Sequence, residues 1–285
     1  MLNGIDRIVV AVNDLEQAIG NYEYLLDAEL VRRWKSPYMA AEVAEMKIGG
    51  SAVELCVPEG GGLVADKLQS REGLAAGGIC VKSLQGYAEH LQSVGVEFTQ
   101  AEDRIYISGA QLHGLPLVIT EGEKAIDASP GALVTHLYEL TVVLDTKWET
   151  VAQNYSEKLG IDRQHEVPIT FERFGYTGTL MKFHPDQLDR IELSEAHDES
   201  FAMGRFSKRH GDGLYMCYVE TNNLGEIIRR LEARNGKWTR RTTEPVERDG
   251  LWVHPSMLHG VLLGISRDTL AWGWSGNPGR ILPRQ

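Results

Sequence analysis

The sequence predicts an α+β chain of four βαβββ modules, paired into two incompletely closed eight-stranded barrels with flanking helices. Two internal repeats carry this expectation. Leu112-His113-Gly114 leads into LPLVI, and Leu258-His259-Gly260 leads into VLLGI. Asn21-Tyr22 with Leu26 recurs as Asn154-Tyr155 with Leu159. Self-similarity of this kind marks a duplicated supersecondary unit. A third observation is the order of patterns within each repeat: one strand-like stretch, one helical stretch, then three strand-like stretches.

The first module opens with Ile5 to Val12, where Ile8, Val10 and Val12 alternate as in a half-buried strand. Asp14 then caps a helix through about Leu26, with Leu15, Ile19, Tyr22 and Leu26 at helical spacing. AELVRRW, AAEVAEMKI and SAVELCV follow as strands, with Gly49-Gly50 at the hairpin between the last two. The second module reads as GGICV, a helix from Leu84 to Val94, then VEFT, DRIYI and LPLVI. Residues 122–134 mix Gly, Pro, Ser and charge and read as a linker between domains at 1–121 and 135–268. The third module has HLYELTVVL, a helix from Lys147 to Leu159, then HEVPITFERF, TLMKFH and RIELS. GLYMCYVE, a helix from Leu224 to Asn235, KWTRR, GLWVH and VLLGI form the fourth, before a tail at 269–285. One helix covers only one face of such a sheet, so modules must pair to bury the other face. Cleft-facing and helix-facing residues then alternate along each strand.

Composition narrows the partners. A chain of 285 residues favours about two domains, and 42% hydrophobic with 24% charged residues is ordinary for a globular protein. A net charge of -11 argues against nucleic acid. Arg229-Arg230 and Arg240-Arg241 are the basic doublets of the second half, and each reads as a solvated face. No apolar run approaches the roughly 20 residues that span a bilayer, and no signal peptide is visible at Met1-Leu2-Asn3-Gly4. Cys56, Cys80 and Cys217 are odd in number and read as buried thiols in a reducing compartment. The expectation is a cytoplasmic monomer or homodimer that takes a small-molecule ligand or substrate.

IDRIVVAVNDLEQAIGNYEYLL, GLYMCYVETNNL and WVHPSMLHGVLLGI together resemble the vicinal oxygen chelate superfamily, which includes glyoxalase I, methylmalonyl-CoA epimerase, extradiol dioxygenases and the bleomycin resistance proteins. The resemblance implies two glyoxalase-like domains. In catalytic members it also implies a divalent metal, held by a His-type residue on each module's first strand and a Glu or Gln on its fourth. Here those positions fall on Arg7 and Glu54, on Ala76 and Val118, on Tyr138 or Glu139 with Glu192, and on Met216 and Gly264. Arg, Ala, Val, Met and Gly supply no oxygen or imidazole ligand. No cofactor is therefore expected. A divalent metal is left as a possibility without support from these positions, with Glu192, His136 and Glu139 as its nearest ligand set.

Four residues are candidates for chemistry. Arg7 facing Glu54 reads as an anion anchor beside a proton acceptor, or as an internal ion pair that replaces a metal's structural role. Glu192 with Glu139 reads as a carboxylate pair that shares a proton, or as surface and salt-bridged residues. His113 and His259 precede fourth strands, as rim acid-base groups or as hairpin caps. His184-Pro185 and His254-Pro255 read as turns. Trp34, Tyr38, Trp252 and Phe183 are candidates to line a pocket, with Tyr138 and Met216 at first-strand positions. The favoured reading is an isomerase- or lyase-type enzyme on a small carbonyl compound or thioester, without the standard metal site. The alternatives are a metal-free sequestration protein of the bleomycin-resistance type and a divalent-metal glyoxalase or dioxygenase with atypical ligands.

Overall fold

The structure, a computed structural model, describes residues 2–241, 250–267 and 269–281. Residue 268 and the last four residues of the expected tail lie outside the described residues. The first module comprises β1 (Leu2–Ala11), α1 (Leu15–Leu26), β2 (Glu29–Ser36), β3 (Ala41–Ile48) and β4 (Ser51–Pro58). Following α2 (Leu63–Ser70), the second has β5 (Gly73–Val81), α3 (Leu84–Ser93), β6 (Thr99–Ala101), β7 (Arg104–Ile107) and β8 (Leu117–Glu121). The third has β9 (His136–Leu144), α4 (Trp148–Leu159), β10 (Glu166–Phe171), β11 (Tyr176–Lys182) and β12 (Arg190–Ala196). After α5 (Ala202–His210) come β13 (Gly213–Thr221), α6 (Leu224–Ala233), β14 (Trp238–Arg240), β15 (Gly250–Val253) and β16 (Leu263–Arg267).

Local chemistry places the helix ends. The side chains of Asp14, Ser83 and Asn223 accept hydrogen bonds from the third helical N–H of α1, α3 and α6, a cap worth about 1 kcal/mol. Two short helices, α2 and α5, connect modules and carry no readable pattern. Val64 is the buried side chain of α2, and α5 buries only Gly204 and Ser207. Among the described residues no helix is long and apolar enough to cross a membrane.

The strands form two eight-stranded sheets, ordered β2-β3-β4-β1-β5-β8-β7-β6 and β10-β11-β12-β9-β13-β16-β15-β14. In every module the first strand runs parallel to the fourth in one register. Val9 pairs with Glu54, Gly78 with Val118, Thr141 with Glu192, and Tyr218 with Gly264. The residue two positions earlier on each first strand is Arg7, Ala76, Glu139 or Met216. Strand alternation therefore puts Glu139 in the place of Arg7 and turns Tyr138 to the other face.

The chain packs into two compact units, which follow a different line from the boundary read at 122–134. One comprises Met1–Ile5, Ala76–Lys124 and Glu139–Tyr215; the other comprises Asp6–Ala75, Ala125–Tyr138 and Met216–Gln285. Within each unit the two sequence repeats meet. Tyr155 Oη donates to the carbonyl of Leu112 at 2.7 Å, and Tyr22 Oη donates to that of Leu258 at 3.5 Å. The neighbouring His113 and His259 hold positive φ (47° and 49°), as do Gly114 and Gly260 (75° and 81°). Only glycine fits after the histidines. A Cβ on Gly114 would lie 2.1 Å from the Asp212 carbonyl oxygen, and one on Gly260 2.0 Å from that of Glu72.

Candidate functional site

In the first module β1, β4, β3 and β2 present one charged row. Register puts Arg7, Glu54, Glu45 and Arg32 on a common face. Arg7 Nη1 donates to Glu54 Oε1 at 2.5 Å, Arg7 Nη2 lies 2.8 Å from Asp6 Oδ2, and Arg32 Nη2 lies 2.9 Å from Glu45 Oε2. The Glu54 side chain is fully buried. Burial works to lower the pKa of Arg7, and Asp6 and Glu54 outweigh it, so the guanidinium is held above its ordinary value. With carboxylates on two sides, Arg7 is committed as an ion-pair partner. Trp34 lies on the same face, its ring 4.5 Å from the Arg32 guanidinium. Tyr38 is exposed in the β2–β3 turn.

The third module has the opposite polarity. Glu139 on β9 is bonded by Arg190 on β12, whose Nε and Nη2 each lie 2.7 Å from Glu139 Oε2. Both side chains are buried, and Thr141 Oγ1 donates to the other carboxylate oxygen at 3.0 Å. Glu192 stands two residues along β12 from Arg190, on the same face. Ser194 Oγ donates to Glu192 Oε1 at 2.7 Å, and the Tyr176 hydroxyl also bonds this carboxyl. Burial first, then the Glu139 carboxylate, push the Glu192 carboxyl up to about 8, against the restraining hydrogen bond from Ser194 and the charge of Arg190. Burial and the like charge of Glu139 thus favour the protonated form of Glu192. It pairs with Leu180 on β11, and the same face continues onto β10 through Val167, Ile169 and Phe171.

The remaining candidates are tied into packing. His113 Nδ1 lies 2.9 Å from Asp212 Oδ2, which also accepts from the N–H groups of Asp145 and Thr146 through its other oxygen. His259 Nδ1 lies 3.3 Å from Glu72 Oε1, with Asn21 Nδ2 at 3.1 Å from its other nitrogen. Both histidines therefore anchor their hairpin turns. His136 hydrogen-bonds the Thr135 hydroxyl at 2.9 Å, and alternation sets it on the opposite face of β9 from Glu139. Tyr138 Oη lies 3.1 Å from Ser266 Oγ, and Met216 is buried. Phe183, just past β11, is half-buried. Trp252 Nε1 donates to Tyr218 Oη at 2.6 Å. That Tyr218 ring explains Gly264: a Cβ there would lie 2.2–2.4 Å from its carbons. The fourth-strand position of this module is filled by a neighbour's phenol.

Residues 4–121, which hold the Arg7–Glu54 pair, match the family model for the Glyoxalase/Bleomycin resistance protein/Dioxygenase superfamily. The match covers this part of the chain. The glyoxalase-like architecture extends through the second half. A mutant of 4-hydroxymandelate synthase from Streptomyces coelicolor superposes with a TM-score of 0.72 at 12% identity, covering 94% of this chain and 93% of that one. A xylose isomerase-like TIM barrel/4-hydroxyphenylpyruvate dioxygenase fusion protein gives 0.64 at 11% identity, over 94% of this chain and 49% of the other. At such identities the likeness is one of fold. No curated protein matches the sequence.

Against the superfamily's pattern, the carboxylates at metal-ligand positions are Glu54, Glu139 and Glu192. Guanidinium groups occupy the first two. Among the described residues no group of three or more His, Cys, Asp or Glu is placed to hold an ion. Sequence reasoning overlooked Arg190, Ser194 and Tyr176. The first two were legible in RIELS, since residues two before and two after Glu192 must share its face. Tyr176 required the hairpin register of β11.

Proposed function

We propose that the chain is a carbon-acid enzyme, an isomerase or lyase acting on a small carbonyl compound or thioester, with Glu192 as the proton-transfer group. The observation that supports this most is the buried Glu192 carboxyl, pushed up to about 8 beside the Glu139–Arg190 pair. A group balanced near working pH serves both directions of proton transfer. Its ionised form takes a proton from the carbon next to the carbonyl, and the resulting acid returns it on the same face, at that carbon or at a conjugated position, so the step is proton-neutral. Ser194 and Tyr176 orient the carboxyl by donating to it.

The donor set supports a reading without the superfamily's metal. Arg7, Ala76, Val118, Met216 and Gly264 offer no suitable ligand, and an ion at Glu54 or Glu139 would have to displace a guanidinium. The Arg7–Glu54 set, closed on itself, is better suited to holding its sheet than to binding substrate.

The test is solvent exchange. Candidate acyl thioesters and 2-oxo acids are incubated with the protein in deuterium oxide, and label at the adjacent carbon is followed by NMR. Glu192→Gln should lower the rate by about 10²–10⁴-fold, with Glu54→Gln much closer to wild type. Exchange at the wild-type rate in Glu192→Gln refutes the reading. A ligand that binds and is recovered unlabelled and unchanged favours a sequestration protein instead.

A further inference from the structure

On the sheet face opposite Glu192, the third module carries a hydroxyl, an imidazole and a carboxylate in series. Thr177 on β11 stands directly across from Glu195 on β12, and His197 follows two residues later on the same face. Thr177 Oγ1 lies 2.6 Å from His197 Nε2, and the other ring nitrogen, Nδ1, lies 3.7 Å from Glu195 Oε1. The carboxylate is itself held. Lys147 pairs with it, and the Trp148 N–H at the start of α4 donates to its second oxygen at 3.2 Å. The main-chain N–H of His197 donates to the Gly175 carbonyl at 2.9 Å, which fixes the residue just past the end of β12.

A carboxylate beside Nδ1 favours the tautomer with its proton on that nitrogen. Nε2 is then the acceptor, and the Thr177 hydroxyl donates to it. Nucleophile, base and orienting group within reach of one another are the signature of an activated hydroxyl. The His197 side chain is 45% exposed and Thr177 is half-buried, so small solutes reach the pair from solvent. Thr239 and His254 of the fourth module offer a built-in comparison. Their Oγ1 and Nε2 lie 2.7 Å apart, yet among the described residues no carboxylate stands within ion-pair distance of the His254 ring.

We propose that Thr177 is the nucleophile of a second, acyl-transfer site for small activated esters, with His197 as general base and Glu195 as its positioning residue. The Thr177 oxygen bonds to the ester carbonyl carbon while its proton passes to His197 Nε2. The bond to the leaving alkoxide or phenoxide breaks, and that oxygen takes the proton from His197. Water then attacks the acyl-threonine, giving its proton to the same nitrogen. The carboxylic acid is released and the threonine oxygen regains a proton.

The probe is 4-nitrophenyl acetate with the full chain at neutral pH, read by nitrophenolate absorbance and by peptide mass spectrometry. Acetyl should appear on Thr177 at least about tenfold faster than on Thr239, and His197→Gln should slow it by about 10²-fold. Free imidazole should restore part of the rate in His197→Ala, which separates lost chemistry from lost folding. Nitrogen-15 NMR of ring-labelled histidine reads the part played by Glu195. Wild-type His197 should carry its proton on Nδ1, and Glu195→Gln should shift the balance toward Nε2. No acetyl on Thr177, equal labelling of Thr177 and Thr239, labelling that survives His197→Gln, or a wild-type ring protonated on Nε2 overturns the proposal.

Discussion

Replacing Glu192 with Gln should make the protein more stable in alkaline solution. The carboxyl is fully buried, and its pKa rises from an ordinary 4.5 to about 8 on folding. For an acid with a raised folded-state value, the native chain keeps its proton while the unfolded chain releases it. Stability is therefore full below about pH 4.5, falls as pH climbs, and levels off above about 8. Each pH unit of that interval is worth about 1.4 kcal/mol, so the whole span amounts to roughly 5 kcal/mol as an order of magnitude. Gln keeps the shape and carries no charge, so its unfolding free energy should lack this slope. The assay is guanidinium chloride unfolding of both proteins at pH 5 and pH 9. The expected result is near-equal midpoints at pH 5 and a higher midpoint for Glu192→Gln at pH 9, with unchanged denaturant slope. Parallel pH dependences in the two proteins would refute the argument that Glu192 is buried as an acid.

Other perturbations probe the remaining structure. Arg7→Met should cost about 3–5 kcal/mol by leaving Glu54 buried without its partner, and adding Glu54→Leu should recover much of that in chemical denaturation. Gly264→Ala should destabilise by about 1–3 kcal/mol or more, because the new methyl meets the Tyr218 ring, and should alter Trp252 fluorescence through their shared hydrogen bond. Tyr155→Phe should cost about 1–2 kcal/mol and Tyr22→Phe distinctly less, since the first donates at 2.7 Å and the second at 3.5 Å. Equal losses in the two thermal melts would contradict the view that these helix tyrosines dock their turns with different strength.

The repeats were legible because each has a local cause. Glycine after His113 and His259 is demanded by positive φ and by a carbonyl oxygen close to where its Cβ would sit. Strand alternation and caps such as Asp14 located most elements within a few residues, while α2 and α5 bury too few apolar side chains to show a period. What the one-dimensional pattern hid is that Asn21-Tyr22 meets the Leu258 turn and Asn154-Tyr155 meets the Leu112 turn. Sequence shows that motifs recur, whereas pairing between them spans more than 200 residues in one case. Glu54 and Glu192 were legible as fourth-strand residues, while Tyr138 and Glu139 stayed open alternatives until the parallel register set Glu139 in the place of Arg7. Their electrostatics were not, because Arg190 reaches Glu139 only through a parallel register that a single strand does not reveal.

The central claim is that Glu192 holds its proton at neutral pH. Carbon-13 NMR of protein labelled at glutamate side-chain carboxyls, with Glu192→Gln used to assign the signal, reads this directly. The account predicts one glutamate resonance that titrates near 8 and disappears in the variant. A Glu192 signal that titrates in the ordinary carboxylate range, near 4.5, would contradict it.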